Sequence, residues 1–113
     1  MVTITTKHNF AKMVLSIEAK GHAGYAEAGK DIVCASVSTL MYTLAQSVKN
    51  MYELGTLADE PTINLTTGDA CIKCRFDDYD FFYEAFQNFS LIGLGYSLLA
   101  HSYPQYVRLE ALT

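Results

Sequence analysis

The apolar residues between Val33 and Met51 constrain the chain most. Val33, Val37, Leu40, Met41, Leu44, Val48 and Met51 recur every three or four residues. That spacing places them along one stripe of an α-helix about 20 residues long. Asp31 stands where an N-cap belongs, and Gly55 follows Leu54 as a stop. A long helix with a single apolar stripe must bury it against something. The segments on either side supply a different period.

Val2 and Ile4 alternate with threonines, and Met13, Leu15, Ile17 and Ala19 alternate with Val14, Ser16, Glu18 and Lys20. Period two means a strand buried on one face. The segment from Lys7 to Lys12 is short enough to be a hairpin connection. After the long helix, Pro61 opens a second pair. Ile63 and Leu65 form one strand, Thr67-Gly68-Asp69 turns, and Ala70, Ile72, Cys74 and Phe76 form the next. Asp77 and Asp78 place acids at the start of a second helix with Phe82, Ala85, Phe86, Phe89 and Tyr96 on its apolar face. Asn88, Ser90, Gly93 and Gly95 predict a kink or break in its middle, and Tyr103-Pro104 ends it. Val107, Leu109 and Ala111 alternate once more. The order ββαββαβ predicts an α+β fold, a mainly antiparallel sheet of about five strands with two helices on one face. Residues 1–113 are read as one domain, with no repeat, linker or low-complexity tract.

Composition narrows the function. Half of the 113 residues are apolar and 18% are charged, a globular balance. A net charge of −4 without a basic stripe argues against nucleic acid as a partner. No apolar run approaches the length of a membrane span, so no membrane partner is expected. The start, Met1-Val2-Thr3-Ile4-Thr5-Thr6, lacks the basic and apolar regions of a secretion signal. Three cysteines, an odd number, are then expected to be free thiols in a reducing cytoplasm.

Chemistry concentrates between the second strand and the long helix. With Asp31 as N-cap, Cys34 is the third helical residue. Amides of the first turn lack intrahelical partners and the helix dipole favours a thiolate there. The same amides are candidates to hold the oxyanion of a tetrahedral intermediate. His22 lies where the second strand ends. If strand and helix pack side by side, the intervening loop returns His22 to the helix start as a general base and acid. Simpler readings stand beside these. A lone helical cysteine is more often a small buried hydrophobe, and a histidine beside glycine more often an ordinary loop residue.

The wording of the segment adds to its spacing. Gly21-His22-Ala23-Gly24-Tyr25-Ala26, followed by Gly29-Lys30-Asp31-Ile32-Val33-Cys34-Ala35-Ser36-Val37-Ser38, closely resembles the ribosomal-processing cysteine proteases called Prp. About a third of the chain carries this tight match. A looser echo lies in Leu99-Ala100 and Tyr103-Pro104-Gln105-Tyr106-Val107. The resemblance implies a dimeric cytoplasmic enzyme of Firmicutes and their relatives. Such enzymes remove an N-terminal extension from large-subunit ribosomal protein number twenty-seven, cutting after an aromatic pair; some process phage capsid proteins. It implies Cys34 as nucleophile and His22 as base, with no cofactor and no metal. The motif aspartate matches Asp31 and the motif serine matches Ser38. Asp31 either caps the helix, orients His22, or does both, and a cap alone accounts for it. Ser38, four residues past Cys34, shares its helix face; it lines a cleft or bonds a helix carbonyl, in a supporting role. Gly21, Gly24 and Gly29 are expected to let the loop order itself around an extended substrate. Ser36 stands where the family favours alanine, and 71–75 and 93–95 do not resemble the family closely.

Other constellations have plainer explanations. Cys71-Ile72-Lys73-Cys74 fits CxxC, but residues three apart on a strand face opposite ways, which predicts a surface Cys71 and a core Cys74 rather than a metal site. Asp77, Asp78 and Asp80 suit a helix start. His8 and His101 are assigned to a turn and a helix end. Phe81, Phe82, Phe86 and Phe89 are expected in the core. Two function classes therefore remain: a cysteine endopeptidase with a Cys34–His22 dyad, and a non-catalytic dimeric module holding a peptide or assembly partner in the same groove. A prophage-borne protease acting on a capsid protein is a variant of the first.

Overall fold

The period-two segments and the helical stripes fold as their patterns dictate. In a computed structural model, which describes residues 1–27 and 29–112, the order is β1 (Val2–Asn9), β2 (Val14–Gly21), α1 (Ile32–Glu53), β3 (Thr62–Thr66), β4 (Asp69–Arg75), α2 (Tyr79–Ser102) and β5 (Val107–Leu112). The strands form one sheet in the order β3-β4-β2-β1-β5. Three of its pairings are antiparallel. The fourth, β1 with β5, is parallel, because α2 carries the chain across before β5 returns.

One face of the sheet is buried. Val2 and Ile4 of β1, Leu15, Ile17 and Ala19 of β2, Ile72 and Cys74 of β4, and Val107 of β5 all enter the core. Both helices lie over that face. α1 supplies Val33, Val37, Met41, Leu44 and Val48, and α2 supplies Phe82, Ala85, Phe89, Ile92 and Tyr96. Burial of these side chains, at about 1.5–3 kcal/mol for each large one, is what holds helix to sheet. The two helices are tied by one buried polar contact: the Tyr96 hydroxyl donates to the Val37 carbonyl oxygen at 2.9 Å.

Several expectations change. β1 runs on through Lys7 and His8, so the hairpin turn is the shorter stretch after Asn9, ending at Met13 with a positive φ of 54°. His8 is thus a strand residue, with its ring edge-on to Phe10 and Phe86 at centroid distances of 5.5 and 5.4 Å. α2 does not break; it is continuous for 24 residues. Gly95 serves packing instead, because a methyl group there would lie 3.0 Å from both terminal carbons of Leu40 on α1. Phe82 and Phe89 enter the core and Phe86 is half-buried, but Phe81 is 44% exposed, being on the outer side of the first turn. The N-cap expected at Asp31 is present, and at the start of α2 Asp78, of the two acids there, is the cap. Asp31 accepts from the Cys34 amide at 2.8 Å, and Asp78 accepts from the Phe81 amide at 3.1 Å. Among the described residues, no helix is long and apolar enough to cross a membrane.

Candidate active site

The end of β2, the start of α1 and the β3–β4 turn converge on one cleft. The β2–β4 ladder pairs Lys20 with Asp69. The Gly21 amide then donates to the Gly68 carbonyl oxygen at 3.0 Å, which extends the ladder by one step. The next residue on β2's course is His22. It leaves the sheet beside the hairpin turn, and its carbonyl oxygen accepts from the Met1 amino group at 2.6 Å. Gly21 itself has a φ of 95°, and a side chain there would strike the Met1 carbonyl oxygen. Only glycine fits such a position without strain.

Cys34 reaches the same cleft from the other side. It is half-buried in the first turn of α1. Cys34, His22 and Gly21 line a small inner cavity of about 60 Å³ together with Ser38, Tyr42 and the turn residues Thr66, Thr67 and Gly68. Its deeper wall is apolar: Val2, Ala19, Ala23, Val37, Met41, Leu65 and Ala70. Cys34 and His22 also face a second, outer depression beneath the 24–31 loop, where Gly24, Gly29 and Asp31 join them. Cys34 and His22 thus line both spaces. Among the described residues, no hydrogen bond joins Cys34 to His22, and such contacts often tighten only when substrate binds.

Asp31 does more than cap. One carboxylate oxygen accepts from the Cys34 amide, and the other accepts from the Tyr25 amide at 3.1 Å and the Ala26 amide at 3.4 Å. These amides, the one from Cys34 first, hold the Asp31 carboxyl below the usual carboxylate range. Asp31 therefore pins the loop to the helix start. Among the described residues, these cap and loop bonds are the side-chain hydrogen bonds Asp31 makes, and none goes to His22. The cap also alters the expected oxyanion site. The Cys34 amide is committed to Asp31, and the Ala35 amide donates to the Asp31 carbonyl oxygen at 3.0 Å. Neither is free to receive an oxyanion without first leaving its partner.

Ser38 lines the cleft one turn beyond Cys34. The helix-carbonyl bond considered for it is made by Ser36, whose hydroxyl donates to the Ile32 carbonyl oxygen at 2.7 Å. Tyr25, in the loop, sets its ring edge-on against Tyr103 and Tyr106, at 5.7 and 5.2 Å between centroids. That contact joins the loop to the segment after α2, where the second stretch of family-like sequence lies. The residues missed from the sequence are those of the hairpin wall and Tyr42. Thr67-Gly68-Asp69 signalled a turn but not its place against His22, because strand pairing across about 50 residues is invisible locally.

The other thiols differ from Cys34 in setting. Cys74 is buried, and burial pushes its thiol up to about 12; Cys71, half-buried on the opposite face, is raised by burial and by Glu18. The CxxC spacing therefore brings no pair together. Among the described residues, no cluster of three or more His, Cys, Asp or Glu side chains is placed to hold a metal ion.

The chain is similar to known proteins in sequence and in fold. The family profile described as "Cysteine protease Prp" matches residues 1–108. A ribosomal processing cysteine protease Prp of Mycoplasma pneumoniae is 28% identical over 97% of this chain and 94% of its own. The Bacillus subtilis protein of the same name is 38% identical over 48 residues, 42% of this chain and 43% of that one. Among solved structures, the S. aureus ribosomal processing protease Prp, in complex with a covalently linked product peptide, superposes with a TM-score of 0.72 at 23% identity, over 99% of this chain and all of that one. A Streptococcus mutans protein superposes with a TM-score of 0.69 at 28% identity, over all of this chain and 95% of that one.

Proposed function

This chain belongs to the Prp family of cysteine proteases, and from that premise we propose that it is an endopeptidase in which Cys34 attacks and His22 carries the proton. The observation that supports this most is the shared cleft: one half-buried thiol and one imidazole, from two different elements, open on the same apolar-walled cavity. His22 takes the thiol proton. The thiolate adds to the scissile carbonyl, giving a tetrahedral oxyanion. As that collapses, imidazolium protonates the departing amine and a thioester to Cys34 remains. Water, deprotonated by His22, then releases the carboxylate and restores the thiol.

The substrate in this proposal is the N-terminal extension of large-subunit ribosomal protein twenty-seven, cut after an aromatic pair. The apolar wall from Val37, Met41, Leu65 and Ala70 suits an aromatic side chain on the acyl side of the bond. Tyr42, 53% exposed at the rim, offers a ring for it to stack on. Ser38 lines the cleft beside the nucleophile in a supporting role. Gly24 and Gly29, both with positive φ, let the loop settle over an extended peptide. Hydrogen-exchange protection of residues 24–31 that is unchanged by substrate would remove that role. The enzyme works in the cytoplasm as a homodimer; light scattering at monomer mass would contradict the dimer.

Incubation with a ribosomal protein bearing an aromatic-ended extension, with new N-termini mapped by mass spectrometry, tests the function. Cleavage after the aromatic pair, lost in Cys34→Ala and in His22→Ala, is the expected result. No cleavage of that protein, with Cys34 still fast to alkylate, points to another protein substrate such as a capsid precursor. No cleavage and an inert Cys34 leaves the binding module.

A further inference from the structure

We infer that Gly68, at the tip of the β3–β4 hairpin, is the positioning residue for the His22 imidazole. The inference rests on His22 acting as the base. Three observations carry it. A methyl group at Gly68 would lie 2.6 Å from His22 Nε2 and 2.7 Å from Cε1, closer than side-chain carbons ever come. The ring edge therefore rests on bare backbone, and any other residue would push it away. The turn is also held firmly in place. The Gly21 amide bonds the Gly68 carbonyl oxygen at 3.0 Å, and Lys20 pairs with Asp69 at 2.6 Å, so the residues just before His22 grip both Gly68 and its neighbour. Finally, Gly68 and Thr67 form the cavity wall next to the imidazole, so the turn limits how far the ring can swing on that side.

No hydrogen bond from Asp31 or another described side chain orients the imidazole. Contact with the turn takes that part: a steric stop in place of the carboxylate or amide that commonly holds a catalytic histidine. A ring displaced by a side chain at 68 loses its approach to Cys34 while the cleft that binds substrate persists. The loss should fall on kcat more than on KM.

Gly68 has a φ of 80°, so Gly68→Ala adds backbone strain as well as a collision. Gly68→Asn separates the two, since asparagine tolerates positive φ yet carries the same Cβ. Gly55→Ala supplies the converse control: its φ is 76°, and no described atom lies within 4 Å of an added methyl. Peptide cleavage and the rate of Cys34 alkylation are measured for all three, with Gly68→Asn repeated in a His22→Ala background. Gly68→Asn should lower kcat on the order of 10- to 100-fold with KM within about twofold, and Gly55→Ala should stay within about twofold of wild type. With His22 already gone, Gly68→Asn should leave alkylation of Cys34 unchanged. Nuclear Overhauser contact between the Gly68 α-protons and the His22 ring, in the unaltered protein, is expected and needs no variant to fold. Undiminished kcat in Gly68→Asn, an equal loss in the His22→Ala background, or absence of that contact would overturn the positioning role. A His22→Ala protein that still cleaves would instead overturn the dyad.

Discussion

Gly93 and Gly95 lie two residues apart in α2, and their surroundings give opposite expectations for the same substitution. Glycine within a helix costs about 1 kcal/mol relative to alanine, because the unfolded chain has more freedom to lose. At Gly93 no described atom stands within 4 Å of an added methyl. Gly93→Ala should therefore stabilise the protein by about 0.5–1 kcal/mol. For a urea m-value of about 1–3 kcal/mol per molar, that raises the midpoint by a few tenths of a molar. At Gly95 the methyl would meet two terminal carbons of Leu40 at 3.0 Å. Overpacking costs about 1–3 kcal/mol, which offsets or exceeds the gain in propensity. Leu40 is only partly buried and can yield somewhat, so the net loss belongs at the low end, about 0–2 kcal/mol. Urea denaturation of the two variants, followed by circular dichroism with the m-value checked for constancy, gives both numbers. A destabilised Gly93→Ala would refute the reasoning, because it would mean that α2 is not a regular helix at that point. A Gly95→Ala gain equal to that of Gly93→Ala would show that the α1–α2 contact is looser than the structure has it.

Tyr96→Phe should cost about 1 kcal/mol by removing the hydroxyl bond to Val37 while keeping the buried ring. Burial pushes the Tyr96 hydroxyl well above its usual range. The stability it contributes is full below the unfolded pKa of about 10 and is lost as pH rises beyond it, so paired urea melts should show the wild-type advantage over Tyr96→Phe shrinking in alkali. Asp31 has the opposite sign. Its carboxyl is held low by the Cys34 amide, so its contribution is present above the unfolded value and fades as pH falls through the folded one. Asp31→Asn should therefore be less stable than wild type at neutral pH, with the gap closing in acid, and amide exchange at Tyr25 and Ala26 should quicken. Cys74→Ser, which buries a hydroxyl in place of a thiol, should cost about 1–3 kcal/mol in a urea melt, whereas Cys71→Ser should cost much less.

The fold was legible where period and burial agree. The stripe from Val33 to Met51, the alternation in β2 and β4, and the cap at Asp31 all read directly from residues whose positions the pattern determines. Gly93 and Gly95 misled because propensity counts only the helix itself, while Leu40 across the interface decides what Gly95 is for. His8 looked like a turn residue because Phe86, which its ring meets, comes from another part of the chain. That Cys34 and His22 face one cleft was legible in the spacing and in the motif around them, but the far wall of that cleft was not. Thr66, Thr67 and Gly68 reach His22 only through the β2–β4 register, which no local window contains. One of the expected oxyanion donors is otherwise engaged: the sequence offers unpartnered first-turn amides, and Asp31 takes the one at Cys34.

The central claim is that Cys34 and His22 act as a pair, and alkylation of Cys34 followed by mass spectrometry from about pH 5 to about pH 9 tests it most directly. A small free thiol such as glutathione, alkylated in parallel, reports the ordinary rate, because burial and Glu18 raise the Cys71 thiol, and His22→Ala provides the comparison. The account predicts that Cys34 reacts well ahead of the free thiol near neutral pH and that most of this lead disappears in His22→Ala. A Cys34 rate that tracks the free thiol, or a lead that survives the loss of His22, would contradict it.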